Sequence, residues 1–251
     1  MKHAASAALA SLAVSACATA PAQGPGEIAD PYEGFNRQMF ALNNGVDKYA
    51  LRPAAMAYKT VTPAFARDRA SDFLDNLGGP VIFANDLLQA EPSRAGTTAA
   101  RFTLNTTVGL LGLWDAAEHF GFEDHSEDFG QTLGVWGIGS GPFLVLPLLG
   151  PTTPRDLIGA GVDRAVDPLT WVQIDNDDDT DVAVQAGMGL IGGLNARVRF
   201  DKQIEALNSQ PEPYVALRRI YSSQRQAAIA NGKLNEADAY EDLPDFDEFE
   251  E

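Results

Sequence analysis

Residues 129–154 read FGQTLGVWGIGSGPFLVLPLLGPTTP, a run of 26 residues without a charge in a 251-residue chain of formal net charge -17. A helix that spans a bilayer needs about 20 apolar residues, so length alone would allow a span. Composition forbids it: the run holds six glycines, and prolines stand at 142, 147, 151 and 154. Each interior proline removes a backbone donor and crowds the preceding turn. In hydrocarbon every backbone polar group must be paired, so irregular backbone is tolerated at membrane depth only inside protein or along a watery cavity. The stretch is therefore either the core of a soluble domain or part of a protein wall around a polar passage.

It is not a nucleotide loop. Gly137, Gly139 and Gly141 imitate a dinucleotide fingerprint, but the third glycine comes one place early and no strand of buried β-branched residues precedes it. No lysine occurs between Lys59 and Lys202, which excludes a P-loop here. Ser140 is no nucleophile elbow, because Ile138 and Pro142 occupy the required glycine positions. Asp175, Asp177, Asp179 and Asp181 imitate the start of a calcium loop, yet Thr180 replaces its turn glycine and Ala186 its bidentate glutamate. A solvated loop is the better reading. His119 and His125 lie six apart, off a common helical face and without HExxH, in what reads as a polar surface loop.

The amino terminus, MKHAASAALASLAVSAC, has a basic start at Lys2, a small apolar stretch and Val14-Ser15-Ala16-Cys17. This resembles a bacterial lipoprotein signal, which implies removal of residues 1–16 and acylation of Cys17. Cys17 is the only cysteine, so an internal disulfide and a cysteine-rich zinc site are both excluded. Each buried methylene contributes about 0.8 kcal/mol and roughly two acyl chains anchor stably, so three acyl chains fix the protein to a membrane. The linker that follows, up to residue 29, is rich in Pro, Gly and Ala and reaches only about 40 Å. Ala18 after the cysteine resembles the signal for export to the outer membrane.

With 18 basic and 35 acidic residues, the chain is a poor electrostatic partner for nucleic acid. Residues 236–251 hold nine carboxylates and no base, and residues 233–251 read as a disordered acidic tail. Between linker and tail, residues 30–232 read as one helical domain. Asp30 is placed as an N-cap, with Pro31 at the first helical position and Glu33 for a capping box. Phe35, Met39, Leu42, Val46 and Tyr49 then recur at helical spacing, so one face is buried in something. Further helices are expected at 64–77, 80–90, 93–113 and 182–196, and from Pro213 to an Asn231-Gly232 C-cap.

DPYEGFNRQMF at 30–40, LRP at 51–53, RFTLNTTVGLLGLWD at 101–115, FGQTLGVWGIGSGPFLVLPLLGPTTPRD at 129–156 and PEPYVALRRIY at 211–221 together resemble the VacJ/MlaA family of outer-membrane lipoproteins. The motifs follow the family order over almost the whole mature chain, and only residues 175–181 and the tail depart. The resemblance implies an all-α, ring-like bundle of amphipathic helices embedded in the inner leaflet of the outer membrane, around an amphipathic channel. It implies a phospholipid substrate taken from the outer leaflet, a soluble periplasmic lipid carrier and a trimeric porin as partners, no cofactor and no catalysis. A bare phospholipid crossing water would expose about 30 methylenes, on the order of 24 kcal/mol, so a shielded path is needed. The expected channel residues are Asn105, Thr106, Phe129, Gly134, Gly137, Gly139, Gly141, Phe143 and Arg155, with Phe129–Pro154 forming wall and mouth. Two rivals stand beside this: a structural lipoprotein without a cavity, and a lipid-anchored hydrolase using His119 or His125.

Overall fold

A computed structural model of the chain describes residues 27–167, 170 and 178–231. The signal-like segment, Cys17, the linker up to residue 26, Gly232 and the acidic tail lie outside the described residues, as do residues 175–177 of the acidic stretch.

In chain order the elements are α1 Glu33–Val46, a π-turn Asp47–Leu51, α2 Arg52–Val61, α3 Ala64–Leu88, α4 Pro92–Thr107, the short α5 Ala116–His119 and α6 Phe129–Val135. A hairpin of β1 Leu144–Leu146 and β2 Gly150–Thr152 follows, then α7 Pro154–Val166, α8 Asp178–Arg199, α9 Asp201–Asn208 and α10 Pro213–Ile229. Helix starts follow local chemistry. Pro92, Pro154 and Pro213 sit in first turns, where a missing N–H costs nothing. The Asp128 and Thr153 side chains accept the Gln131 and Asp156 N–H groups at 2.8 and 3.2 Å. Contacts between elements close a circuit, from α3 to α6, α6 to α10, α10 to α9, α9 to α8, and α8 back to α3. This is the expected ring of helices, and no described helix is long and apolar enough to cross a membrane.

Four expectations are corrected. First, α1 starts at Glu33 behind Tyr32, because the Asp30 carboxylate is occupied elsewhere, accepting from Tyr214 Oη and from Asn36 Nδ2. Second, the expected break between 77 and 80 is absent. α3 runs 25 residues through Pro80, held by α4 along its side, and a Cβ on Gly79 would come within 3.1 Å of the Phe102 ring. Third, α4 stops at Thr107, where the chain folds back so that Gly112 N–H reaches Asn105 O at 2.8 Å. That knot forces Leu110 and Leu111 to φ +54° and +61°, a conformation costing roughly 1–2 kcal/mol per non-glycine residue. Fourth, the irregular 129–154 stretch contains two regular pieces, α6 and the antiparallel hairpin paired Leu144 to Thr152, Val145 to Pro151 and Leu146 to Gly150.

The packing is inverted relative to a water-soluble domain. Among the described residues eight buried side chains are hydrophobic and 16 are polar or charged. The apolar core is small: Phe143, Val145 and Tyr214, with Ile28, Met39, Phe40, Val215 and Tyr221 against it. The remaining interior is ionic and hydrogen-bonded. Arg197, 5% exposed, ties Asp47 on the π-turn to Asp201 on α9 at 2.5 and 2.8 Å. Arg225 bridges Asp128 and Asp156 at 2.6 and 2.8 Å. Gln89, Arg94 and Thr132 surround a buried Glu127 and Asn85. Outside, Phe35, Leu42, Tyr49, Val61, Phe65, Leu110, Leu111, Leu148, Leu149 and Leu190 are between 48% and 78% exposed.

Candidate functional site

An opening lies between α3, the end of α7, and α8. It encloses about 400 Å³, within the range of roughly 300–1,000 Å³ common for small-molecule sites. One wall is a single stripe of α8, Asp181, Gln185, Met188, Gly189 and Gly192, at the i, i+4, i+7, i+8, i+11 spacing that keeps side chains on one face. The stripe is graded. Its amino-terminal end carries a carboxylate and an amide, and its far end carries a thioether and then glycines. Leu74, Leu77 and Gly78 of α3 supply the opposing apolar wall, and Arg164 and Asp167 at the end of α7 close the polar end. Eleven residues of helix rise about 16 Å, close to half of a hydrocarbon layer of about 30 Å. A Cβ added at Gly189 or Gly193 would meet nothing within 4 Å, whereas one at Gly192 would stand 3.2 Å from Leu74.

Arg164 holds the polar end together. Its guanidinium donates to Gln185 Oε1 at 2.5 Å and to Asp167 Oδ2 at 3.5 Å, linking α7 to α8, and its side chain is 55% exposed.

A second, smaller cleft of about 60 Å³ opens between α3, α4 and the 115–125 segment, lined among others by Asp72, Asp75, Asn105, Asp115 and His125. That is room for about two waters. Arg101 spans it, donating to Phe122 O at 2.6 Å and to Asp115 at 2.8 Å. Burial pushes the Asp72 and Asp75 carboxyls up. Asp115 is also pushed up by burial, but hydrogen bonds from Arg101 and Asn105 outweigh this and hold it below the usual carboxylate range. His125 Nε2 stands 3.2 Å from Thr98 Oγ1 and 3.0 Å from Asp86. Because one nitrogen meets both groups, the ring cannot take a proton from the hydroxyl on one side while the carboxylate braces the other, as a hydrolytic triad requires. Among the described residues no group of His, Cys, Asp or Glu is placed to hold a metal ion.

The sequence candidates separate into four groups. Asn105 reaches the small cleft, donating to Asp115 and accepting the Ala117 N–H, and Thr106 accepts from Asn76 beside it. Phe129, Gly134 and Arg155 belong to the scaffold under α7. Phe129 N–H donates to Asp163 and its ring meets Trp136 edge-on. A Cβ on Gly134 would strike Ile229 at 2.7 Å, and Arg155, 7% exposed, is paired with Asp156. Gly137 and Gly139 lie in an open turn, and Gly141 turns at φ +75° against Pro154. Phe143, expected to face acyl chains, is instead a core residue at 0% exposure. The larger cavity is thus lined by residues that the sequence reading did not select. Their signal was present in the uncharged, glycine-rich 182–196 segment, whose polar-to-apolar grade appears once Asp181 is taken as its first member.

The family profile described as MlaA lipoprotein matches residues 28–228. The intermembrane phospholipid transport system lipoprotein MlaA of Haemophilus influenzae is 34% identical over 223 residues, covering 87% of this chain and 86% of that protein. Its Escherichia coli counterpart is 34% identical over 210 residues, covering 81% and 79%. A solved structure described as "Structural basis for maintenance of bacterial outer membrane lipid asymmetry" superposes with a TM-score of 0.71 at 32% identity, over 80% of this chain and 99% of that one.

Proposed function

Because the chain belongs to the MlaA lipoprotein family, we propose that it removes misplaced phospholipids from the outer leaflet of the outer membrane and so maintains lipid asymmetry. Acyl chains on Cys17 anchor it on the periplasmic side, and the exposed apolar side chains seat the ring in the inner leaflet. The lipid moves through the cavity between α3, α7 and α8 to a soluble periplasmic carrier, beside a trimeric porin. No step of this requires catalysis.

The observation that carries the reading is the graded wall of α8. A phospholipid is itself graded from charged headgroup to hydrocarbon, and the stripe has the same order over about one leaflet's depth. The exterior supports it too, since apolar patches of this extent need a cover and lipid provides one. In this reading the 129–154 stretch buttresses α7, whose far end carries Arg164.

The test is a Gly189→Trp variant in cells lacking their own copy. The position has open space, so the indole fills the passage without disturbing the helix. The variant is expected to accumulate normally and fail to restore asymmetry; full restoration at equal protein level overturns the assignment of the passage.

A further inference from the structure

The small cleft beside α3 offers more hydrogen-bond acceptors than its own donors use. Its lining residues all fall between 72 and 125, a stretch the structure describes throughout, and include four carboxylates, Asp72, Asp75, Asp115 and Asp124, beside one guanidinium, Arg101. It shares no lining residue with the larger cavity. We propose that this cleft binds a primary ammonium carried on a slim aliphatic chain, the diamine class, at a site separate from the lipid passage.

Acidic side chains alone would simply be hydrated, but the floor of the cleft adds a directed acceptor. Asn76 is 8% exposed; its Nδ2 donates to Thr106 Oγ1 at 3.1 Å, while its Oδ1 is buried with no hydrogen-bond partner. A buried acceptor left bare points to an occupant that brings a donor. One position earlier on α3, the Asp75 carboxylate has no hydrogen-bond or ion-pair partner among the described residues, and Arg199 and Arg101 act on it only from beyond contact. Asp72 meets Arg69 through one oxygen at 2.8 Å, and Asp124 meets Arg101 through one oxygen at 3.2 Å, whereas Arg101 and Asn105 occupy both oxygens of Asp115. The open acceptors are therefore Asn76 Oδ1, the Asp75 carboxylate and the second oxygens of Asp72 and Asp124. A primary ammonium carries N–H donors and no acceptor, so it can serve several of them at once. Among the described residues no group is placed to hold a metal ion, which favours a cation that reaches its acceptors through N–H bonds of about 2.8 Å. Burial raises the Asp72 and Asp75 carboxyls, a penalty on their charged forms that an entering cation relieves. The cleft of about 60 Å³ takes about two waters, or one ammonium and the carbon behind it, so the rest of the chain leaves past Asp124, whose side chain is 73% exposed. A phosphate a short way behind the ammonium would stand among carboxylates at that mouth, whereas a diamine places a second cation there.

The experiment titrates the full-length lipidated protein, in mild detergent at physiological ionic strength, with putrescine, with its fully N-methylated analogue and with phosphoethanolamine, reading binding by calorimetry. Wild type is expected to bind putrescine saturably and the methylated analogue roughly tenfold more weakly or worse, since that analogue keeps the charge and loses the N–H donors. Asp75→Asn is expected to weaken putrescine roughly tenfold, as loss of a charge-assisted hydrogen bond does, and it strands no partner inside the protein. Should that variant fail to fold, Asp124→Asn at the exposed mouth is expected to weaken binding roughly threefold, and an unchanged affinity there counts against the site. Gly189→Trp fills only the other cavity and is expected to bind putrescine as wild type does, whether or not that cavity carries lipid. Equal binding of putrescine and its methylated analogue overturns the site, as does an affinity untouched by Asp75→Asn or one lost in Gly189→Trp. Absence of saturable binding to wild type also overturns it and leaves the cleft to water. Phosphoethanolamine binding as tightly as putrescine overturns the assignment to free amines.

Discussion

Asn36 and Asn43, about two turns apart on α1, hold the hairpin segment by the same device: each carboxamide donates to one backbone carbonyl and accepts from one backbone N–H. Asn36 pairs with Phe143 O and Val145 N–H, and Asn43 with Leu146 O and Leu148 N–H. Two side chains thereby register an irregular segment against a helix more than 100 residues earlier.

Burial makes the two unequal. Asn36 is 0% exposed, so Asn36→Ala strands two buried backbone groups and is expected to cost about 2–4 kcal/mol, at roughly 1–3 per unsatisfied group. Asn43→Ala, whose partners reach solvent, costs about 1 kcal/mol. Urea unfolding in detergent measures both, and equal losses would contradict the burial argument.

α6 and α7 cross with their backbones touching. A Cβ on Gly159 would lie 2.2 Å from Gly130 N, whereas one on Gly161, two residues later in the same helix, meets nothing within 4 Å. Gly159→Ala is therefore expected to lose about 3 kcal/mol or more, in the manner of overpacked sites. Gly161→Ala gains about 0.5–1 kcal/mol from helix propensity. Opposite signs in thermal unfolding are the required outcome.

Leu110 and Leu111 keep a left-handed backbone while exposing 63% and 68% of their surface. Asparagine tolerates that conformation and is polar. Replacing both with Asn is expected to leave folding stability equal or about 1 kcal/mol higher and to weaken partitioning onto phospholipid vesicles. Unchanged partitioning in a flotation assay would show that this knot does not meet the membrane.

Acid has two opposed effects. In Glu127 and Asp163 burial leads and raises the folded pKa, so each favours folding more as pH falls from neutrality through that value. In Asp128 and Asp156 burial also acts upward, but Arg225 and, for Asp156, Tyr221 overcome it and lower the folded pKa. Their contribution is complete above the unfolded carboxylate value near about 4 and is lost as pH falls through the lower folded value. Stability is expected to hold or rise from pH 7 towards about 5 and to collapse below about 4. Arg225→Gln should remove much of the acid-limb dependence in urea midpoints taken across pH.

Local signals in the sequence located the helix start at Pro213, placed that of α4 at residue 93 against the observed Pro92, and found the turn at Asn231, which takes φ +53°. What it hid was long-range. Asp30 reads as an N-cap because its true partner, Tyr214, lies 184 residues away. Pro80 reads as a break because its neighbour α4 is needed to see why α3 continues. The periodic face of α1 demanded burial, and Met39 does pack against the core, yet Phe35, Leu42 and Tyr49 stay exposed. The cavity escaped since α3, α7 and α8 contribute short pieces of it, none a motif alone.

The inverted packing also governs the life of the protein before it arrives. On the proposed site in the outer membrane, the chain would cross an aqueous compartment carrying a greasy coat, and a coat of that kind self-associates in water. Such a transit would call for an escort that shields the coat and releases it only at lipid. Refolding in buffer should give oligomers and refolding with micelles a monomer.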